Sequence, residues 1–477
     1  MFLMPILLAS LGWMPAGRVT AQSLTILHHF SGGTNDGSQP LWMHLIQATD
    51  GDFYGTTEYG GVSNVGTVFK ITSGGSLTVL YQFKGSAAND GEFPEAGLVQ
   101  GSDGNFYGTT YEGGTNSYGT VFKMTPAGVL TNIHIFQPAA THDGRWPFSP
   151  LVQGTDGLFY GTTSAGGMPG YGTVFQMDSA GNLTVIHSFT NGLDGNSPYA
   201  GVFQGSDGYF YGTTETGGSN GVGTVYKVNS GGAFTPLHQF GATSTDGQTP
   251  IGGIIQGYTG DYFGTTYAGG SNGYGTVFRI TSAGVLTNLY HFGGPAYDGL
   301  NPRSGLLQGS DSYLYGNTFL GGTNGAGALF KIGPAGGLIY VHAFEAFAGD
   351  GTYPENALVE GYDGNYYGTT YQGGTNGLGV VYKLAYPVPQ NPNEPNITAS
   401  GNSGASGNSG ASNNFVFSFS SVAGETYQLQ SADALPAAVW SNVPGGVVSN
   451  AIGGPLLLSN LVSSTVTQQF YRLQITP

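Results

Sequence analysis

Three observations predict an all-β protein, a seven-bladed β-propeller closed by its own N-terminal strand and followed by a small β-sandwich. The phrase "FYGTT" and its variants recur seven times, placing an aromatic at Tyr54, Tyr107, Tyr160, Tyr211, Phe263, Tyr315 and Tyr367, with steps of 53, 53, 51, 52, 52 and 52 residues. Each complete unit carries four short apolar runs separated by glycine turns, the pattern of a four-stranded meander. The strand counts at the two ends of the repeat region are also complementary.

Each unit reads alike: a "DGxxP" turn, "GLVQG", "SDG", "NFYGTT", a glycine loop "GGTNG", "GTVFKIT", "SAG" and finally "LTVLYQF". The runs are apolar on both faces, as in Val68-Phe69-Lys70-Ile71. A sheet packed between two others needs that, whereas a sheet with one wet face alternates. Four-stranded sheets repeated at this length are propeller blades. The first unit begins at Asp36, yet "LTILHHF" (Leu24 to Phe30) precedes it, and the seventh ends at "GVVYKLAY" (Gly379 to Tyr386) without a fourth strand. Pairing the surplus strand with the incomplete blade closes the ring and removes two sheet edges.

Composition agrees. Glycine, 86 of 477 residues, is about 18% against a usual 7% or so, without a collagen period. Tyr and Phe number 30 and 28, and charged residues make up 8%. The formal net charge of −16, with no basic run, argues against nucleic acid, whose binding depends on neutralising phosphates, and against anionic membrane surfaces. The absence of Cys excludes disulfides, thiolate metal sites and cysteine nucleophiles.

Residues 1–21 read as a secretory signal peptide: an apolar run from Phe2 to Met14, too short to span a bilayer, then "VTA" before Gln22, although no Lys or Arg precedes the run. The propeller is expected over 22–386, a Pro-rich then Gly/Ser-rich linker over 387–413, and the small β-sandwich over 414–477, where "FVFSFSSVAGETYQLQSA" gives two strands about a glycine turn and "QQFYRLQI" a third.

The unit "LVQGSDGNFYGTTYEGGTNSYGTVFKMTPAG" resembles the GloVer (Gloeo/Verruco) tandem repeat of exported bacterial proteins, over about residues 23 to 386. The tail, with "GETYQLQSADAL", Trp440 and "FYRL", resembles C-terminal β-domains of secreted verrucomicrobial proteins. The resemblance implies export, to the medium or the cell surface, and the repeat architecture. It implies no activity.

Frame positions are expected to be structural. His28, His134, His187, His238 and His342 all stand two residues before the closing Phe of the fourth strand, a place taken by Tyr81 and Tyr290 in the other blades. Equivalent positions on separate blades do not converge on one metal. The seven "DG" aspartates, Asp36, Asp90, Asp143, Asp194, Asp246, Asp298 and Asp350, read as turn residues capping nearby amides. A carboxylate ring at the channel mouth, or separate calcium sites, is the alternative.

Variation collects at the end of the ring shared by the "DGxxP" and "TTxxGG" loops. The residue after "TT" runs Glu58, Tyr111, Ser164, Glu215, Tyr267, Phe319, Tyr371, and the "xx" pairs include Arg145-Trp146 and Thr352-Tyr353. Aromatics beside carboxylates and amides suit sugar rings, which present C–H faces and hydroxyls together. The candidate ligand-binding residues are therefore Arg145, Trp146, His142, Tyr111, Tyr267, Tyr371, Glu58, Glu215 and Tyr353, with "THDGRWPF" of blade three as the strongest contact point.

The expected function is that of an exported, monomeric, non-catalytic binding protein for a glycan or another envelope component, without cofactor or metal. Two alternatives stand beside it. One is a propeller glycosidase or polysaccharide lyase, for which Glu58, Glu92, Glu95, Glu112, Glu215 and Glu355 supply carboxylates but no motif selects a pair. The other is a structural or adhesive scaffold for protein partners. A sialidase-like arginine cluster is unsupported, since the repeat region holds only Arg145, Arg279 and Arg303.

Overall fold

A computed structural model describes residues 24–42, 44–137, 143–295, 297–345 and 349–385 in full, and the backbone of the strands between 398 and 476. The chain divides into two compact units, Met1–Ala385 and Tyr386–Pro477.

The first unit is a seven-bladed propeller of seven four-stranded antiparallel sheets. Blade two illustrates all of them: Val99–Gln100, Phe106–Thr110, Thr120–Met124 and Leu130–Ile135, paired in that order. The second and third strands are almost wholly buried, with only the Lys position of "TVFKM" rising toward solvent. The fourth strand is half-buried, as the outermost strand of a blade should be. The seventh blade consists of Val359–Glu360, Tyr366–Thr370, Val380–Leu384 and, from the other end of the chain, Leu24–His29. The closing strand is registered with Leu24 opposite Leu384 and Thr25 opposite Lys383, and Phe30 N–H donates to Gly379 O at 3.1 Å. Phe30, wholly buried, packs in a cluster with Leu45, Phe53, Phe69, Ile71, Tyr367 and Val381, so it joins blade seven to blade one.

The frame residues are consumed by structure, blade after blade. The "SDG" aspartate accepts from the tyrosine hydroxyl four residues on, as in Tyr107 to Asp103 at 2.8 Å. In blade five Thr259 and Phe263 replace both partners together, and no polar group is orphaned. The first "TT" threonine donates across the blade boundary, as in Thr56 Oγ1 to Ala96 O at 2.9 Å, while Asn356 Nδ2 to Pro40 O, also 2.9 Å, serves at the closure. The second threonine meets the hydroxyl of the next strand, as in Thr110 to Thr120 at 2.9 Å. It also dictates the glycine of "DG": a Cβ on Gly91 would stand 2.4 Å from Thr110 Cγ2.

The histidines behave as expected, with a partner the sequence reading left unassigned. His28, His134, His187, His238 and His342 each bring Nε2 to within 2.9 to 3.3 Å of the following "DG" aspartate. Tyr81 and Tyr290 take the same role through their hydroxyls. Asp36 Oδ1 also accepts Gly37 N–H at 2.8 Å and its Oδ2 accepts Ser31 N–H at 2.9 Å, the capping role assigned to these carboxylates. Among the described residues no group of three or more His, Asp or Glu side chains is placed to hold a metal ion, and no helix is long and apolar enough to cross a membrane.

In the second unit six strands form two three-stranded antiparallel sheets. Thr398–Gly401 and Gly454–Val462 flank Asn413–Ser421, and Ser441–Ser449 and Phe470–Thr476 flank Thr426–Ala432. The strands on either side of residues 422–425 thus belong to different sheets and do not form a hairpin. Thr398–Gly401 lies inside the stretch read as linker.

Candidate functional site at the channel mouth

The "DGxxP" and "TTxxGG" loops share one end of the ring and are tied there by a two-stranded ribbon in five blades, such as Gly144–Arg145 against Ala165–Gly166. The second "x" is left-handed in all seven blades: Gln39, Phe93, Trp146, Ser197, Thr249, Asn301 and Tyr353 have φ between 54° and 59°. A non-glycine residue there costs on the order of 1 kcal/mol. Two hydrogen bonds hold it. Trp146 N–H donates to Tyr118 O of the preceding blade at 2.9 Å, and Trp146 O accepts Ser164 N–H at 3.0 Å. The same bonds fix Tyr353 to Ala326 and Tyr371. The backbone conformation is constant and the side chains it carries are free to differ.

The residue following the turn proline turns out to build the channel wall. It runs Glu95, Phe148, Tyr199, Ile251, Arg303 and Glu355 over blades two to seven. Blade one is one residue longer here, "PLWMHL" against "PEAGL", and supplies Trp42 and His44. Trp42, His44, Phe148, Tyr199, Arg303 and Glu355 border a cavity of about 60 Å³. That holds a few water molecules and is too small for a sugar ring.

The wall is chemically lopsided. Blades three to five contribute Phe148, Tyr199 and Ile251, whereas blades seven, one and two contribute Glu355, Glu58 and Glu95, which are 2%, 8% and 6% exposed. Glu355 Oε1 accepts from Arg303 Nη1 at 3.0 Å, while its Oε2 and Glu58 Oε2 are buried without a partner. Burial, reinforced by the charges of Glu58, Glu112 and Glu355, pushes the Glu95 carboxyl up to about 8. Burial outweighs the Arg303 guanidinium and pushes Glu355 up to about 7. Burial also raises Glu58, against a hydrogen bond with Tyr59. Arg303 is itself fixed, its guanidinium 3.9 Å from the Phe319 ring centre, 5.3 Å from Tyr267 and 5.8 Å from Trp42. His44 is kept neutral by burial, its value lowered to about 4, and Nδ1 accepts Ala357 N–H at 3.2 Å across the ring closure.

The candidate residues fall into separate neighbourhoods. Tyr111 lies 6.0 Å from Trp146 and 4.5 Å from Phe148, which in turn stands 4.8 Å from Tyr199 and 6.5 Å from Trp42. Arg145 covers Trp146 at 4.5 Å and Tyr118 at 5.7 Å, with Arg145 Nε and Trp146 Nε1 buried and unpartnered. Tyr371 is raised by burial and then by Glu58 and Glu355, which places it beside the acidic arc. Tyr267 belongs with Arg303, and Tyr353 packs on Phe319 at 5.0 Å. Burial raises Glu215, which is the first charge acting on Tyr199. His142 lies outside the described residues. The sequence marks Glu95, Phe148 and Glu355 singly but not the position after the turn proline as one row, although its variation between constant neighbours is the same signal that marks the position after "TT".

The fold and its mouth define a repeat-built propeller whose constant frame presents one asymmetric, acidic and aromatic end. The chain belongs to the Gloeobacter/Verrucomicrobia repeat family, matched over residues 17–204, 155–382 and 294–409. No curated protein matches it. Solved structures that resemble it include a fungal alcohol oxidase in complex with copper, 12% identical over 93% of this chain and 92% of that one, TM-score 0.48. A lectin from Burkholderia pseudomallei is 12% identical over 74% and 96%, TM-score 0.46. The periplasmic gluconolactonase of Pseudomonas aeruginosa is 18% identical over 68% and 95%, TM-score 0.43. At these scores the likenesses assign neither ligand nor reaction to this chain.

Proposed function

We propose that the protein is an exported, monomeric, non-catalytic binder of glycans of the cell envelope or its surroundings, and that the propeller mouth is its recognition surface. One observation carries this reading. The frame residues are spent on intramolecular hydrogen bonds, whereas the variable positions gather Tyr111, Trp146, Phe148 and Tyr199 into one aromatic run beside buried carboxyl groups. Such rings offer flat apolar faces to sugar C–H groups, and the neighbouring polar atoms receive hydroxyls. Export rests on the apolar leader of residues 1–21.

A second reading, glycoside hydrolysis, is favoured by the proton-holding state of Glu95 and Glu355 near neutral pH. A glycan array on the purified full chain separates the two. Binding should appear, and Tyr111→Ala and Trp146→Ala should each weaken it by about tenfold, the equivalent of 1.4 kcal/mol. Shortening of the bound oligosaccharide during incubation establishes the hydrolytic reading. Absence of any sugar binding by the parent, or binding unchanged in both variants, refutes recognition at this mouth.

A further inference from the structure

We propose that the acidic arc of the mouth takes a protonated amine carried on a saccharide, so that the ligand is an amino sugar with a free ammonium group. This rests on the glycan-binding reading and narrows it. Glu355, Glu58 and Glu95 occupy three consecutive blades, and each is more than nine-tenths buried. Among the described residues the one cation paired with any of them is Arg303, on Glu355. Arg303 pairs with Glu355 Oε1 and is stacked on Phe319, so it is not free to reach further. Glu355 Oε2 and Glu58 Oε2 remain without a donor. Buried acceptors left this way carry an uncompensated desolvation cost.

An ammonium group supplies three donors to the unpartnered acceptors, and its charge lets Glu355 and Glu95 give up the protons that burial holds on them. A neutral sugar satisfies the acceptors but brings no charge that favours ionisation of the carboxyls, and a uronate opposes it. Metal ions fit less well, because the described His, Asp and Glu side chains offer no metal-holding group. The aromatic neighbours favour a saccharide over a flexible lysine side chain. Tyr371 lies beside the arc, and Trp42 borders the cavity into which Glu355 faces. Each ring offers an apolar face near the charge, along with cation–π attraction.

Calorimetric titration of the full chain tests this with glucosamine oligomers of one length, either with free amines or fully N-acetylated, and with a lysine tripeptide. The free-amine oligomer should bind at least about tenfold more tightly than the acetylated one. That preference should shrink in Glu58→Gln, a substitution that keeps size and removes charge. Raising salt from about 0.05 to 0.5 M should weaken the free-amine oligomer selectively, a readout on the parent that does not depend on the variant folding. Equal or tighter binding of the acetylated oligomer overturns the amine assignment while leaving glycan recognition standing. Lysine tripeptide binding as tight as that of the amino sugar overturns the saccharide part. No binding of any oligomer refutes both.

Discussion

A chain beginning at Ser31 does not form a stable ring, whereas one beginning at Leu24 does. The truncation removes the outer strand of blade seven, a surface strand with six residues. With it go the pairing to Val380–Leu384, the Phe30 N–H bond to Gly379 O and the His28 bond that helps position Asp36. Phe30 is the heaviest loss. Removing a buried Phe side chain costs about 3 to 5 kcal/mol, against a total stability of about 5 to 15 kcal/mol for a typical domain. The Val380–Leu384 edge is then open to intermolecular pairing. Size-exclusion chromatography with near-ultraviolet circular dichroism reads the result: a monomer with a cooperative melt for the longer chain, aggregation or loss of tertiary signal for the shorter. Equal melting of the two chains contradicts the closure.

Glu95→Gln should stabilise the ring increasingly as pH rises. A buried carboxyl pushed up to about 8 stays protonated in the fold through the range in which the unfolded chain has already ionised. The folded state then binds more protons than the unfolded one, so stability is full below about pH 4.5 and falls as pH climbs through 8. Over that span the loss is on the order of 5 kcal/mol. His44 acts with the opposite sign: held neutral, it lowers stability as pH drops from about 6.5 toward 4. Comparing variant with parent at each pH cancels the histidine and isolates Glu95. Urea unfolding at pH 5 and pH 8 should show the variant's advantage at pH 8 alone, and an advantage independent of pH refutes the assignment of a proton to Glu95.

Closure, blade number and the structural use of the histidines were legible because repetition exposes them. Seven copies of "FYGTT" give the count, and a surplus "LTILHHF" opposite a missing fourth strand gives the clasp. The pairing of strand-four His or Tyr with the next "DG" aspartate was equally available, since the two are separated by 7 to 9 residues in every blade. The mouth was half legible. Variation at Tyr111 or Trp146 marks loops, but which loops face one another depends on the ring, and no single unit encodes that. Glu58, Glu95 and Glu355 are 37 and 260 residues apart in sequence. Glu355 joins Glu58 and Glu95 only because the chain's two ends meet at blades seven and one.

The closure has a direct chemical test. The protein contains no Cys, so Thr25→Cys with Lys383→Cys introduces the sole pair, at positions that face each other across the clasp. Cross-strand neighbours bring Cα atoms to about 4.5 to 5.5 Å, within disulfide range. Mild oxidation should give a quantitative intramolecular crosslink in a monomer, with a raised melting temperature that falls back on reduction. Free thiols after oxidation of the folded protein, or crosslinks between chains only, would show that the N-terminal strand does not close the ring.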